Sequence, residues 1–173
     1  MKKLIILSDL WGKEKSVWVS HYTERLNQHF DIQYYDCCEL GAIDKSIYTE
    51  EALHQQFVSG GIERTVHQLT ELIREETHIL AFSIGGTIAW RFGLQTGNIK
   101  SLTAISSTRL RYETVKPKGR VKLYYGKDDD SAPAKSWFDQ LGVDHELIKD
   151  QGHVVYRESE LAAAVAEHLL SIG

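Results

Sequence analysis

The chain is short of cysteine, of positive charge and of long apolar runs, and each shortage excludes something. Only two cysteines occur in 173 residues, Cys37 and Cys38. Being adjacent, they cannot staple distant parts of a fold, which fits a reducing compartment better than a disulfide framework. They read as two small buried residues rather than as a redox pair. Lys and Arg number 20 against 24 Asp and Glu, a net charge of −4, so the clustered basic surface that nucleic acid or an anionic membrane requires is not expected. Nothing approaches the roughly 20 apolar residues of a membrane span. In the opening "MKKLIILSDL", Ser8 and Asp9 cut off the apolar run after Leu7, short of the roughly 7–15 residues of an export signal. A cytoplasmic protein is the expectation. After the first apolar run comes "SDLWGKEKS", with no G-x-G-x-x-G and no Walker loop, so a nucleotide-binding Rossmann protein is disfavoured. The acidic run Asp128–Asp130 lacks EF-hand spacing.

What is present is ordinary for a globular protein, with 42% hydrophobic and 25% charged residues, and the length suits a single domain over 1–173. Short β-rich runs alternate with segments of helical period. The run 3–7 is wholly apolar, as in a buried parallel strand. Trp18, Tyr22, Leu26 and Phe30 recur every four residues and predict an amphipathic helix. Strands are expected at 31–36, 78–83, 101–106, 120–126 and 144–150, and helices from Ile62 to Ile73, Ile84 to Leu94, Pro133 to Leu141 and Ser159 to Ile172. The segment Cys37 to Thr49 reads as a loop at the carboxyl edge of the sheet. Such alternation predicts an α/β three-layer sandwich, with about six mostly parallel strands and helices on both faces. Ligands in such sheets bind beyond the carboxyl ends of the strands, so the loops there carry the functional question.

One of those loops reads "LAFSIGGTIAW", Leu80 to Trp90. A serine forced into a tight strand-to-helix turn projects its hydroxyl above the sheet, and the residues two before and two after it must be small. Here they are Ala81 and Gly85 around Ser83. The rival is a serine that merely caps the following helix. A serine hydroxyl needs a base, and the base needs an acid to orient it. "YYGKDDDSAP" after one strand supplies carboxylates, and "KDQGHVVY" after the last supplies His153.

In these motifs and their order the chain resembles the α/β-hydrolase fold family. That family commonly reads G-x-x-D-x-x-x-P in the acid loop, matched by Gly126, Asp129 and Pro133, and a G-H pair before the last helix, matched by Gly152-His153. Asp129 is preferred on register, with Asp128 as substitute. The resemblance spans most of the chain. It implies an oxyanion hole made by the backbone N–H of Ile84 and of Leu10. There the pattern departs, because Ser8 and Asp9 stand where the family carries His-Gly. Asp9 is expected to turn away from the hole or pair with a neighbour. Trp11 reads either as a wall of the substrate pocket or as core.

The stretch 107–119 is too short for a helical cap, so the resemblance is to the compact, lidless members. Arg109 and Arg111 lie on it, readable as solvated residues or as contacts for an anionic substrate. The resemblance implies a serine hydrolase cleaving a carboxylic ester or thioester through a Ser83–His153–Asp129 triad. It implies a small-molecule acyl substrate and no cofactor or metal. Two alternatives stay open: acyl transfer on the same triad, and a non-catalytic ligand- or partner-binding protein with a degenerate oxyanion loop.

Overall fold

The computed structural model describes residues 1–173. Six strands, β1 (Lys2–Leu7), β2 (Phe30–Tyr35), β3 (Thr77–Phe82), β4 (Ile99–Ile105), β5 (Arg120–Gly126) and β6 (Asp144–Ile148), form one sheet in the order β2-β1-β3-β4-β5-β6. Every neighbouring pair is parallel. The period-2 alternation of a strand divides each central run between two cores. Ile5 and Leu7 of β1, Ile79 and Ala81 of β3, and Leu123 and Tyr125 of β5 enter one. Leu4, Ile6, Leu80, Phe82 and Tyr124 enter the other. Both faces are therefore covered, which is why these strands are apolar throughout rather than alternating.

The first core is closed by α2 (Cys37–Leu40), α4 (Ile62–Leu72), α5 (Ile84–Thr96) and α6 (Lys135–Leu141), with α3 (Glu50–Gln56) adding Leu53. The second is closed by α1 (Ser20–Leu26) and α7 (Ser159–Ile172), which bury Tyr22, Leu26, Leu161, Val165 and Leu169. A fully buried leucine such as Leu169 contributes about 2 kcal/mol of transfer free energy. No helix is long and apolar enough to cross a membrane. Between β4 and β5 lies only a short 3₁₀ turn, Leu110–Tyr112, so no cap covers the carboxyl edge.

Two local expectations are corrected. The four-residue stripe from Trp18 does not run through Phe30: the helix ends at Leu26, and Phe30 opens β2, where it buries beside His78. The segment after β2 is not all loop. Asp36 accepts the Cys38 and Glu39 N–H groups and starts the single turn of α2. Beyond that loop, in a stretch the sequence left unassigned, Thr49 caps α3: its hydroxyl accepts the Ala52 N–H, with Glu50 and Glu51 in the first turn where the helix dipole favours carboxylates.

Candidate active site

At the carboxyl end of β3 the chain turns through Ser83, with φ 51° and ψ −121°. A non-glycine residue held there costs about 1–3 kcal/mol. The turn is built by close approach. A Cβ on Gly85 would lie 2.4 Å from the Ser8 carbonyl oxygen, so glycine lets α5 press against the loop after β1. Ser83 does not cap α5, since its side chain bonds none of the helix N–H groups. Its Oγ instead lies 2.9 Å from Nε2 of His153.

His153 opens a 3₁₀ turn, His153–Arg157, immediately before α7. Its Nδ1 is 2.9 Å from Oδ2 of Asp129. Asp129 is buried, while Asp128 and Asp130 are exposed, and of the three Asp129 is the one hydrogen-bonded to His153. The other oxygen of Asp129 accepts the Ser131 N–H, and the Asp129 carbonyl accepts that of Ala132. The acid and histidine loops meet where the Asp128 N–H donates to the Gln151 carbonyl. Gly126 makes this possible: a Cβ there would sit 2.3 Å from the Gln151 oxygen. Three loops from three strand ends thus bring Ser83, His153 and Asp129 into one hydrogen-bonded line. Such a line can move a proton from the serine hydroxyl to the imidazole while the carboxylate holds the ring's tautomer.

The loop after β1 closes the other side. The Gly12 N–H bonds the Asp9 carbonyl and the Trp11 N–H bonds Asp9 Oδ1 at 3.0 Å, making a tight Asx-supported turn through Leu10. The Leu10 N–H donates to no group of the protein, although Leu10 is buried. Ile84 is the first residue of α5, so its N–H has no intrahelical acceptor. These are the two donors expected of an oxyanion hole. Asp9 pairs with neighbours, one of the two expectations for it: its Oδ2 accepts the Tyr156 hydroxyl at 3.0 Å, with the Arg157 guanidinium at 4.0 Å. Burial pushes its carboxyl up to about 6, against the lowering pull of Tyr156, the Trp11 N–H and, more weakly, Arg157 and His153.

A polar cleft of about 620 Å³ lies over this edge. His153 and Leu10 line it, Leu10 being the sole apolar residue to do so, together with Arg109 and Arg111 of the β4–β5 connection. Ser83 is 0% exposed while the His153 side chain is 31% exposed. The Ser83 hydroxyl therefore lies below the cleft surface, in contact with the more exposed His153 ring. Trp11 does not line the cleft. It packs edge-on against Tyr48, whose hydroxyl bonds the Trp11 carbonyl, and against the first core. Sequence reasoning missed His54, Glu50 and Glu51, which reach the cleft from α3, and Tyr156. The Thr49-Glu50-Glu51 capping pattern was a usable signal for the first three; nothing local announces the last. Cys37 and Cys38 are free and buried, and burial pushes both thiols up, so neither is a reactive thiolate.

No family model matches the chain, and no curated protein matches it. Solved structures do. They include a predicted CIB-like hydrolase from Thermoplasma acidophilum, at 16% identity and TM-score 0.72 over 96% of this chain and 86% of that one. A monoacylglycerol lipase from Paleococcus ferrophilus matches at 15% identity and TM-score 0.73, over 98% and 94%. Est1E from Butyrivibrio proteoclasticus, solved with ferulic acid, matches at 12% and TM-score 0.68, over 99% and 89%. The parallel sheet, the strained serine turn and these likenesses together define the class: the chain has the compact α/β-hydrolase fold, without a cap. Identities this low speak to fold and not to reaction.

Proposed function

We propose that the protein is a serine hydrolase cleaving a carboxylic ester or thioester through an acyl-enzyme. The observation that carries this is the unbroken line Ser83 Oγ, His153 Nε2, His153 Nδ1, Asp129 Oδ2, with both contacts at 2.9 Å. Ser83 Oγ attacks the acyl carbonyl as His153 Nε2 takes the hydroxyl proton. The oxyanion is received by the Leu10 and Ile84 N–H groups, both free of protein acceptors within the fold. Collapse of the tetrahedral adduct breaks the acyl–oxygen or acyl–sulfur bond, and His153 returns the proton to the leaving group. Water then attacks the acyl-enzyme with His153 again as base, regenerating Ser83. Asp129 holds Nδ1–H and stabilises the imidazolium in both halves. With Leu10 as the one apolar group in the cleft, short polar acyl groups fit better than long alkyl chains, which have nothing to bury against.

The test is steady-state hydrolysis of short p-nitrophenyl esters and acyl thioesters by wild type, Ser83→Ala and His153→Ala. Turnover that disappears in both variants supports the proposal; turnover that survives Ser83→Ala refutes it. One observation favours a second reading, a ligand-binding protein on the same fold: Ser83 is wholly shielded from solvent. Under that reading, folded wild type hydrolyses none of these substrates.

A further inference from the structure

Asp9 stands out as a buried carboxylate with no part in the proton relay. It is 0% exposed, and its nearest cation, Arg157, is 4.0 Å away with its Nε buried and unpartnered. A buried carboxylate is costly unless its oxygens are hydrogen-bonded. Its two oxygens are divided between two loops. Oδ1 accepts the Trp11 N–H, two residues on, and fixes the turn that carries the Leu10 N–H. Oδ2 accepts the hydroxyl of Tyr156, 147 residues away, on the turn that begins at His153. Tyr156 is itself held: its carbonyl accepts the Tyr22 hydroxyl at 2.7 Å, and its ring packs edge-on to the His153 imidazole, centroids 6.1 Å apart. The groups facing Asp9 are therefore Tyr156 and Arg157 from the histidine turn, His153 itself, and Trp11 from its own loop.

We propose that Asp9 is a positioning residue whose carboxylate locks the oxyanion-donor turn to the histidine turn, so that the Leu10 N–H and the His153 ring are held in one geometry about Ser83. The inference rests on the serine-hydrolase reading above. In that reading the oxyanion donor and the general base must both be placed within tenths of an ångström of their transition-state positions. A residue that joins the two loops acts on the chemical step more than on binding.

Two measurements test it, one of them independent of turnover. In the first, Asp9→Ala, Asp9→Asn and Tyr156→Phe are compared with wild type on a short ester. Asp9→Ala is expected to lower kcat about 10–100-fold with KM within about twofold. Asp9→Asn keeps an oxygen acceptor for the Trp11 N–H and recovers kcat to within a few fold. Tyr156→Phe lies between them. Asp9→Ala with wild-type kcat, a loss carried by KM, or Asp9→Asn as impaired as Asp9→Ala would each overturn the inference. In the second, amide hydrogen exchange of Asp9→Ala is expected to accelerate both at residues 9–12 and at 153–157, with exchange in the central strands unchanged. Acceleration at 9–12 alone would show that no lock exists. If wild type neither turns over esters nor depends on Ser83, the hydrolase reading fails by itself, while the exchange experiment still decides whether the two loops are coupled.

Discussion

Replacing Asp9 by Asn should raise the stability relative to wild type as the pH climbs from about 4 to neutrality. The magnitude follows from the carboxyl's environment. Burial raises it from 3.8 in the unfolded chain to about 6 in the fold, so the folded state binds the proton more tightly. Wherever the native state holds more protons than the unfolded one, stability falls as pH rises. The contribution of Asp9 is thus fully present below pH ~4, is lost between ~4 and ~6, and stays lost above. A shift of about two units corresponds to about 3 kcal/mol at 1.36 kcal/mol per unit. Asn has no proton to lose and shows none of this dependence. In urea unfolding, the stability of Asp9→Asn minus that of wild type should climb by about 2–3 kcal/mol between pH 4 and pH 7.5, whatever its value at pH 4. Taking the difference cancels the other carboxylates. A difference that is flat across this range would show that Asp9 is not desolvated in the folded protein, and would remove the basis for treating it as a costly, retained charge.

Other consequences can be checked on the same material. Asp129→Asn should lower kcat by roughly 10³–10⁴, because the amide favours the wrong imidazole tautomer, whereas Asp128→Asn, on an exposed neighbour, should stay within about twofold; equal losses would misplace the acid. Gly85→Ala drives a methyl to 2.4 Å from the Ser8 carbonyl and should cost about 1–3 kcal/mol in thermal unfolding, with activity lost alongside; a neutral result would mean that the loop after β1 yields freely. Neither Arg109 nor Arg111 has a carboxylate partner, and Arg111 is held by the Thr108 carbonyl and the Tyr112 hydroxyl. If they meet an anionic acyl group, p-nitrophenyl hemisuccinate should be preferred over p-nitrophenyl valerate in kcat/KM, and Arg109→Met with Arg111→Met should reduce that preference about tenfold or more; an unchanged ratio would make them solvated surface residues.

The parts of the site that were legible in the sequence are those written at strand ends. Ser83 follows an apolar run that stops abruptly, Asp129 and His153 follow the last two strands, and each has small or turn-forming neighbours of the kind a crowded loop requires. The family's acid-loop pattern favoured Asp129 with Asp128 as substitute, and in the structure Asp129 is the buried one and lies against His153. The illegible parts have two physical causes. Tertiary packing overrides local period: Phe30 continued a four-residue stripe yet opens β2, where it pairs with Lys2 of β1 and its ring buries in the second core. Pairing across long sequence separation leaves no local trace, so the Asp9–Tyr156 bond could not be foreseen, although pairing of Asp9 with some neighbour could. The helix α3 is a different case. Its cap and acidic first turn were present at Thr49–Glu51, and what obscured them was the absence of a long apolar stripe over only seven residues. Trp11 shows that an aromatic beside a site need not face it: a better partner, Tyr48, lay on the other side.

The central claim is that Ser83 is an activated nucleophile in an assembled site. Labelling with a fluorophosphonate probe, followed by peptide mass mapping, tests it most directly, because the probe reacts with a serine whose base and oxyanion donors are in place. The account predicts a stoichiometric phosphonyl adduct on Ser83 that is absent from Ser83→Ala and strongly reduced in His153→Ala. Folded wild type that stays unlabelled, or an adduct on any other residue, would contradict it.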